Sequence, residues 1–221
     1  MMINEVLLFG VRSALVVEYE ETLHRLGISV QAGISLRPGA RLIDLSKEVA
    51  LDAFDPATSC KQFYACAFFP GTRQRYFDQA EALGLIAAQP LIDPHAAVAR
   101  TARIGEGSFV NAGAIIGAVS MIGAGTLVNR AASIGHHSMI GDFVSIGPGA
   151  TLASNIRVGD GAVIGAGATV LPNVRIGANA IVAAGALVRG HVPDDTFVTG
   201  VPARRKPFDV HKSSLFAEDG E

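Results

Sequence analysis

The chain has 221 residues, 49% of them hydrophobic but only 6% aromatic, and a formal net charge of −2. That balance leaves no basic surface for nucleic acid, and the apolar run VLLFGV is too short for a signal peptide or a membrane span. Cys60 and Cys66 are the only cysteines and form no metal-type cluster, which implies a reduced, soluble, cytoplasmic protein.

Residues 1–88 alternate strand and helix patterns. MINEVLLFG reads as a buried strand, VVEYEETLHRLG as an amphipathic helix ending at Gly27, and ISVQAGI as a second strand. Further on, FYACAFF is strand-like and TRQRYFDQAEALG (72–84) is a helix closed by Gly84. The alternation predicts a small parallel, Rossmann-like α/β domain. Its ligand crevice would lie beyond the carboxyl ends of the strands, near Gly10 and near Pro70–Gly71.

From Ile92 the period changes. Stepping by six reaches Val98, Ile104, Val110, Ile116, Ile122 and so on to Val188, seventeen aliphatic positions without an insertion. Two residues before most of them stands a small residue, as in Ala102, Ser108, Ala114 and Ser120, and glycine often follows directly. Neither a helix (3.6) nor a simple strand (2) repeats at six. A short strand plus a turn does, and three such units close an 18-residue triangular coil that stacks on the next through parallel backbone hydrogen bonds. The hexapeptide pattern therefore predicts a parallel β-helix of about five and a half coils over residues 89–193. A C-terminal segment, 194–221, follows, with GVPARRK at 200–206 and a polar tail, HKSSLFAEDGE, expected to be mobile.

Within the coil, VNRAASIGHHSMIGDFVSIG sets an asparagine seven residues before a histidine and follows with an I-G-acidic-F turn. With LPNVRIG (171–177), GVPARR (200–205) and the α/β domain ahead of the coil, this resembles the bacterial sugar acyltransferases of the sialic-acid O-acetyltransferase and UDP-4-amino-sugar N-acetyltransferase type. The resemblance implies a left-handed β-helix, a homotrimer, and acetyl-CoA as acyl donor without a metal. It also implies a sugar acceptor, nucleotide-activated in many members, held by the N-terminal domain.

By this resemblance His136 is the general base that takes the proton from the acceptor amine or hydroxyl as it attacks the thioester. Imidazole suits that task, because free imidazole side chains titrate near pH 6.5 and are mostly neutral in the cytosol. His137 stands where the family commonly has a carboxylate; either it acts as a weaker hydrogen-bonding partner, or an acid such as Asp142 substitutes, or the base is simply weaker. Asn129 matches the family asparagine near the acyl site. Cofactor contacts carry over onto Ser145, Ala166 and Ala184, and Gly71, with Arg73 and Arg75 near it, matches a turn lining the sugar pocket. The usual G-x-x-G-H-G turn after the first strand is missing: FGVRSAL keeps only Gly10, and Arg12 is its one charged substitute.

Two other functions fit a hexapeptide coil. A metal-dependent hydratase of the γ-carbonic-anhydrase kind needs three converging histidines, a spacing that His95, His136, His137 and His191 do not show. A trimeric scaffold or sugar-binding module would lack thioester turnover altogether.

Overall fold

The computed structural model describes residues 4–36 and 39–207; the tail HKSSLFAEDGE lies outside the described residues. The N-terminal domain comprises β1 (Glu5–Phe9), α1 (Val16–Arg25), β2 (Ser29–Ser35), β3 (Glu48–Ala50), β4 (Gln62–Ala65), α2 (Pro70–Ala82) and β5 (Ile86–Ala87). The five strands form one parallel sheet in the order β3-β2-β1-β4-β5. Helix α1 buries Val16, Tyr19, Thr22 and Leu23, one stripe at helical spacing. It stops at Gly27, whose φ of +69° lets Ile28 N–H close back on the Leu23 carbonyl at 2.9 Å. Helix α2 starts two residues before the expected 72, because Pro70 fits the first turn of a helix without losing a needed N–H. FYACAFF is strand only as far as Ala65. Beyond it the chain bends and turns the carbonyls of Ala67 and Phe68 toward Arg73.

Every one of the seventeen hexad positions ends a two-residue strand, from Leu91–Ile92 to Leu187–Val188. The strands stack into three parallel faces. Face I holds six strands, Ala97–Val98 to Leu187–Val188; face II holds five, Arg103–Ile104 to Arg175–Ile176. Face III holds eight, from Leu91–Ile92 to Arg204–Arg205, the last of them paired antiparallel to Phe197–Thr199. The hexad side chains fill the interior with the small residues two positions before them. Each aliphatic group taken fully out of water contributes about 1.5–3 kcal/mol.

The coil does not end at Val188. Val192 bridges to Ile176, and Phe197–Thr199 pairs with Ile181–Val182, each link spanning 16 residues in place of 18. The last coil is thus two residues short on one side, which hides it from a count by sixes.

The α/β domain sits on face III. Leu91, Phe109 and Leu127 point outward from that face yet are fully buried among Val6, Leu8, Tyr19 and Tyr64. Tyr19 and Phe109 meet at 4.3 Å between ring centroids. Arg73 of α2 completes the junction. Fully buried, it donates to the carbonyls of Gly125 (2.6 Å), Ala67 (2.7 Å), Phe68 (2.8 Å), Phe143 (2.9 Å) and Val144 (3.0 Å), and to the Ser145 hydroxyl (3.0 Å). Burial pulls its guanidinium down to about 10, so it stays charged at neutral pH.

Candidate active site

The side chains that matter lie at the corners of the triangle. Where face I turns into face II, successive coils present Ala118, His136 and Ser154. Gly117 lies directly beneath: a Cβ there would fall 2.5 Å from the His136 backbone nitrogen, so only glycine lets the coils stack at this corner. His137 occupies the left-handed turn position, φ +57°, and its N–H bonds to the Ala118 carbonyl at 3.0 Å. Both imidazoles are exposed and stand nearly perpendicular, with their Nδ1 atoms 2.9 Å apart. One Nδ1 donates and the other accepts. When His136 is the donor, its Nε2 keeps the lone pair a base requires. Asp142 takes no part in this. It lies on the next corner, between faces II and III, where its carboxylate accepts the Ala124 N–H at 2.7 Å.

The corner between faces III and I carries Ala166 and Ala184, stacked in successive coils by the Gly185 N–H bond to the Ala166 carbonyl (2.8 Å). Both are exposed. Asn129 opens a turn of the same corner two coils lower and is buried, its amide oxygen accepting the Arg130 N–H at 2.7 Å. Ser145 does not join them. It stands on face III, fully buried in the domain junction, its hydroxyl donating to the Phe68 carbonyl and accepting from Arg73. Arg73 is likewise a rivet of that junction.

Gly10 and Gly71 follow β1 and β4, adjacent strands from which α1 and α2 depart in turn, the switch point of the sheet. Gly71 is exposed with open space where a side chain would be. At Gly10 (φ +77°) the Tyr76 ring takes that space, within 2.0 Å of an ideal Cβ, and the Leu42 side chain covers Gly33 on β2 in the same way. The altered first turn has therefore become an aromatic contact.

A polar ladder that the sequence reading overlooked runs beneath the alanine corner. Asp93, Asn111 and Asn129, 18 residues apart, face Glu18, Thr22 and Arg25 on one side of α1. Asp93 is fully buried and accepts from Thr22 (2.8 Å), Arg25 (2.6 Å) and both the backbone and ring of His95 (2.8 and 3.0 Å). Burial raises the pKa of its carboxyl, but these four hydrogen bonds outweigh burial and hold it at about 2. The spacing of 18 was the signal; without the helix position it had no meaning. Among the described residues no three His, Cys, Asp or Glu side chains gather so as to hold a metal, and no helix is long and apolar enough to cross a membrane.

A hexapeptide coil with an exposed histidine pair on one corner, exposed alanines on another and an α/β domain on its third face defines a hexapeptide-repeat acyltransferase. Residues 155–190 match the family described as bacterial transferase hexapeptide (six repeats). No curated protein matches the chain by sequence. Among solved structures, it is similar to PerB from Caulobacter crescentus in complex with CoA and GDP-perosamine, at 30% identity over 94% of this chain and 99% of that one, TM-score 0.84. A mutant of perosamine N-acetyltransferase from the same organism, also with CoA and GDP-perosamine, gives 29% identity over the same shares and a TM-score of 0.86. The acetyltransferase domain of PglB from Neisseria gonorrhoeae in complex with acetyl coenzyme A gives 27%, 93% and 100%, and 0.83. The chain belongs to the sugar acyltransferases of this hexapeptide-repeat type, and its coil is the left-handed parallel β-helix of that family.

Proposed function

We propose that the protein transfers the acetyl group of acetyl-CoA to the amino group of a bacterial sugar, with His136 as general base. The observation that carries this is the exposed His136–His137 pair, bonded Nδ1 to Nδ1, which commits one ring nitrogen of His136 and leaves the other for the acceptor. The amine nitrogen attacks the thioester carbonyl, His136 takes its proton, and the thiolate of CoA departs with that proton to leave an amide. The thioester carries its own leaving group, so no covalent enzyme intermediate is needed.

Pantetheine runs over Ala166 and Ala184, where missing side chains leave backbone amides within reach. That groove and His136 lie on different corners with face I between them, so one protomer does not bring them together. A homotrimer does: the groove of one copy meets the histidine corner of the next. Ile115, Val119, Met121 and Met139, exposed apolar side chains around the histidine corner, support the contact. Nitrogen is the acceptor atom favoured here because the similar solved proteins are described as N-acetyltransferases. A nucleoside-diphosphate sugar is the acceptor class favoured by the complexes with GDP-perosamine.

The test is CoA release from acetyl-CoA with UDP-, GDP- and dTDP-4-amino sugars, sialic acid and simple amino sugars, comparing wild type with His136→Ala. Turnover on one acceptor that collapses in the variant supports the reading. Turnover that the variant retains removes His136 as the base. No release with any acceptor and no acetyl-CoA binding would favour a scaffold.

A further inference from the structure

The groove on the alanine corner ends on one ion pair. Going down the corner from Ala184, successive coils present Ala166, Pro148 and then Arg130; the flanking turn residues are Ala183, Gly165 and Gly147 on one side and Gly185, Gly167 and Gly149 on the other. Above Arg130 this corner therefore carries nothing larger than a proline ring. Arg130 stands two coils below Ala166, about 10 Å at the spacing of parallel strands. One of its terminal nitrogens donates to Glu18 at 2.6 Å, and the other Glu18 oxygen accepts from Asn111 at 3.4 Å. Glu18 belongs to the first turn of α1 and is 24% exposed; Arg130 is 57% exposed. The guanidinium is thus tethered at one end and open over much of its surface, at the point where the groove meets the acceptor domain.

We propose that Arg130 donates a hydrogen bond to the acyl carbonyl oxygen during transfer, with Glu18 as its positioning residue. The inference rests on the acyltransferase reading above. As the acceptor nitrogen bonds to the carbonyl carbon, the C=O electron pair moves onto oxygen, and Arg130 stabilises that oxyanion. When the pair returns, the C–S bond breaks, CoA leaves as thiolate and takes up the proton that the base removed from the amine. Arginine suits this place because it stays charged and never competes as a base. Loss of one such donor typically costs about 100- to 1,000-fold in kcat.

The experiment measures steady-state kinetics, melting temperature and the 13C carbonyl shift of bound [1-13C]acetyl-CoA for wild type, Arg130→Met, Arg130→Lys and Glu18→Gln. The expected result is a loss of roughly 100-fold in kcat for Arg130→Met with little change in the KM for acetyl-CoA. Arg130→Lys recovers part of it, and Glu18→Gln loses about tenfold. The carbonyl resonance moves downfield on binding to wild type and returns toward its free position in Arg130→Met. A variant that melts earlier but turns over normally overturns the proposal and leaves the acyltransferase reading intact. An unshifted carbonyl in wild type overturns it whatever the acceptor, and failure to bind acetyl-CoA overturns both.

Discussion

His136 and His137 share one hydrogen bond between their Nδ1 atoms, 2.9 Å apart, and among the described residues neither reaches a carboxylate. An imidazole at this turn holds the ring orientation of its neighbour, but because its Nδ1 can donate or accept it does not fix the tautomer as an acceptor-only carboxylate would. It supplies no negative charge to stabilise the imidazolium that forms when His136 takes a proton. His137→Glu adds that charge at the same turn. The acid limb of the kcat/KM profile should move to higher pH in this variant, and His137→Ala should lose several-fold in kcat. A profile that does not move would reduce His137 to an orienting group. His136→Ala should lose about 100- to 10,000-fold.

Arg73 ties α2 to two segments of the coil through three carbonyls and a hydroxyl, and to the loop before α2 through two more carbonyls. No buried side-chain nitrogen or oxygen among the described residues lacks a partner, the Arg73 guanidinium included. Arg73→Ala leaves several buried carbonyls without donors, each costing about 1–3 kcal/mol. The expected outcome is a loss of stability of at least about 3 kcal/mol in urea unfolding, or failure to fold. Arg73→Lys should rescue only in part, because an ammonium group has three donors and no planar fork. Wild-type stability in Arg73→Ala would show that the domains hold together through apolar contacts alone.

The coil was legible because its interior admits one residue type at one position in six. Ile134, Leu152 and Val170 can be exchanged among aliphatics, but their spacing is fixed by the triangle. The same logic located His136, since a residue two places after an interior aliphatic must stand at a corner. What the spacing did not reveal was which face the α/β domain covers. Ser145 sits on face III like Leu127 and Phe109, and nothing in its hexad says that Arg73 covers it. Arg73 itself, polar and in a helix of low amphipathicity, gave no sign that it is buried. The shortened last coil escaped for a different reason, its step of 16 falling outside the repeat.

Asp93 makes the acid stability of the domain junction testable. Its folded-state pKa, about 2, is lower than the unfolded value near 3.8. A depressed carboxyl pKa contributes stability that is complete above the unfolded value and disappears as pH falls through the folded one. The unfolding free energy of wild type should therefore decline between about pH 4 and pH 2. In Asp93→Asn that part of the slope should flatten, and the protein should be less stable at pH 7, where Thr22 and Arg25 lose a charged acceptor. Parallel wild-type and variant slopes over that interval would assign the acid sensitivity to other carboxylates.

The separation of His136 from Ala184 predicts complementation between inactive chains. In the proposed trimer each active site takes its histidine from one copy and its groove from another, because the two lie on different corners of one chain. His136→Ala removes the base, and Ala184→Trp fills the groove. Each variant alone should be inactive for its own reason, the first still binding acetyl-CoA and the second not. Unfolded and refolded together in equal amounts, they form mixed trimers. A site works when its histidine comes from the Ala184→Trp chain and its groove from the His136→Ala chain, so about a quarter of sites should be active. Recovery near that fraction, absent when the two proteins are mixed without refolding, establishes a shared site. No recovery, with mixed trimers verified by mass, would place the histidine and the groove of one site in the same chain.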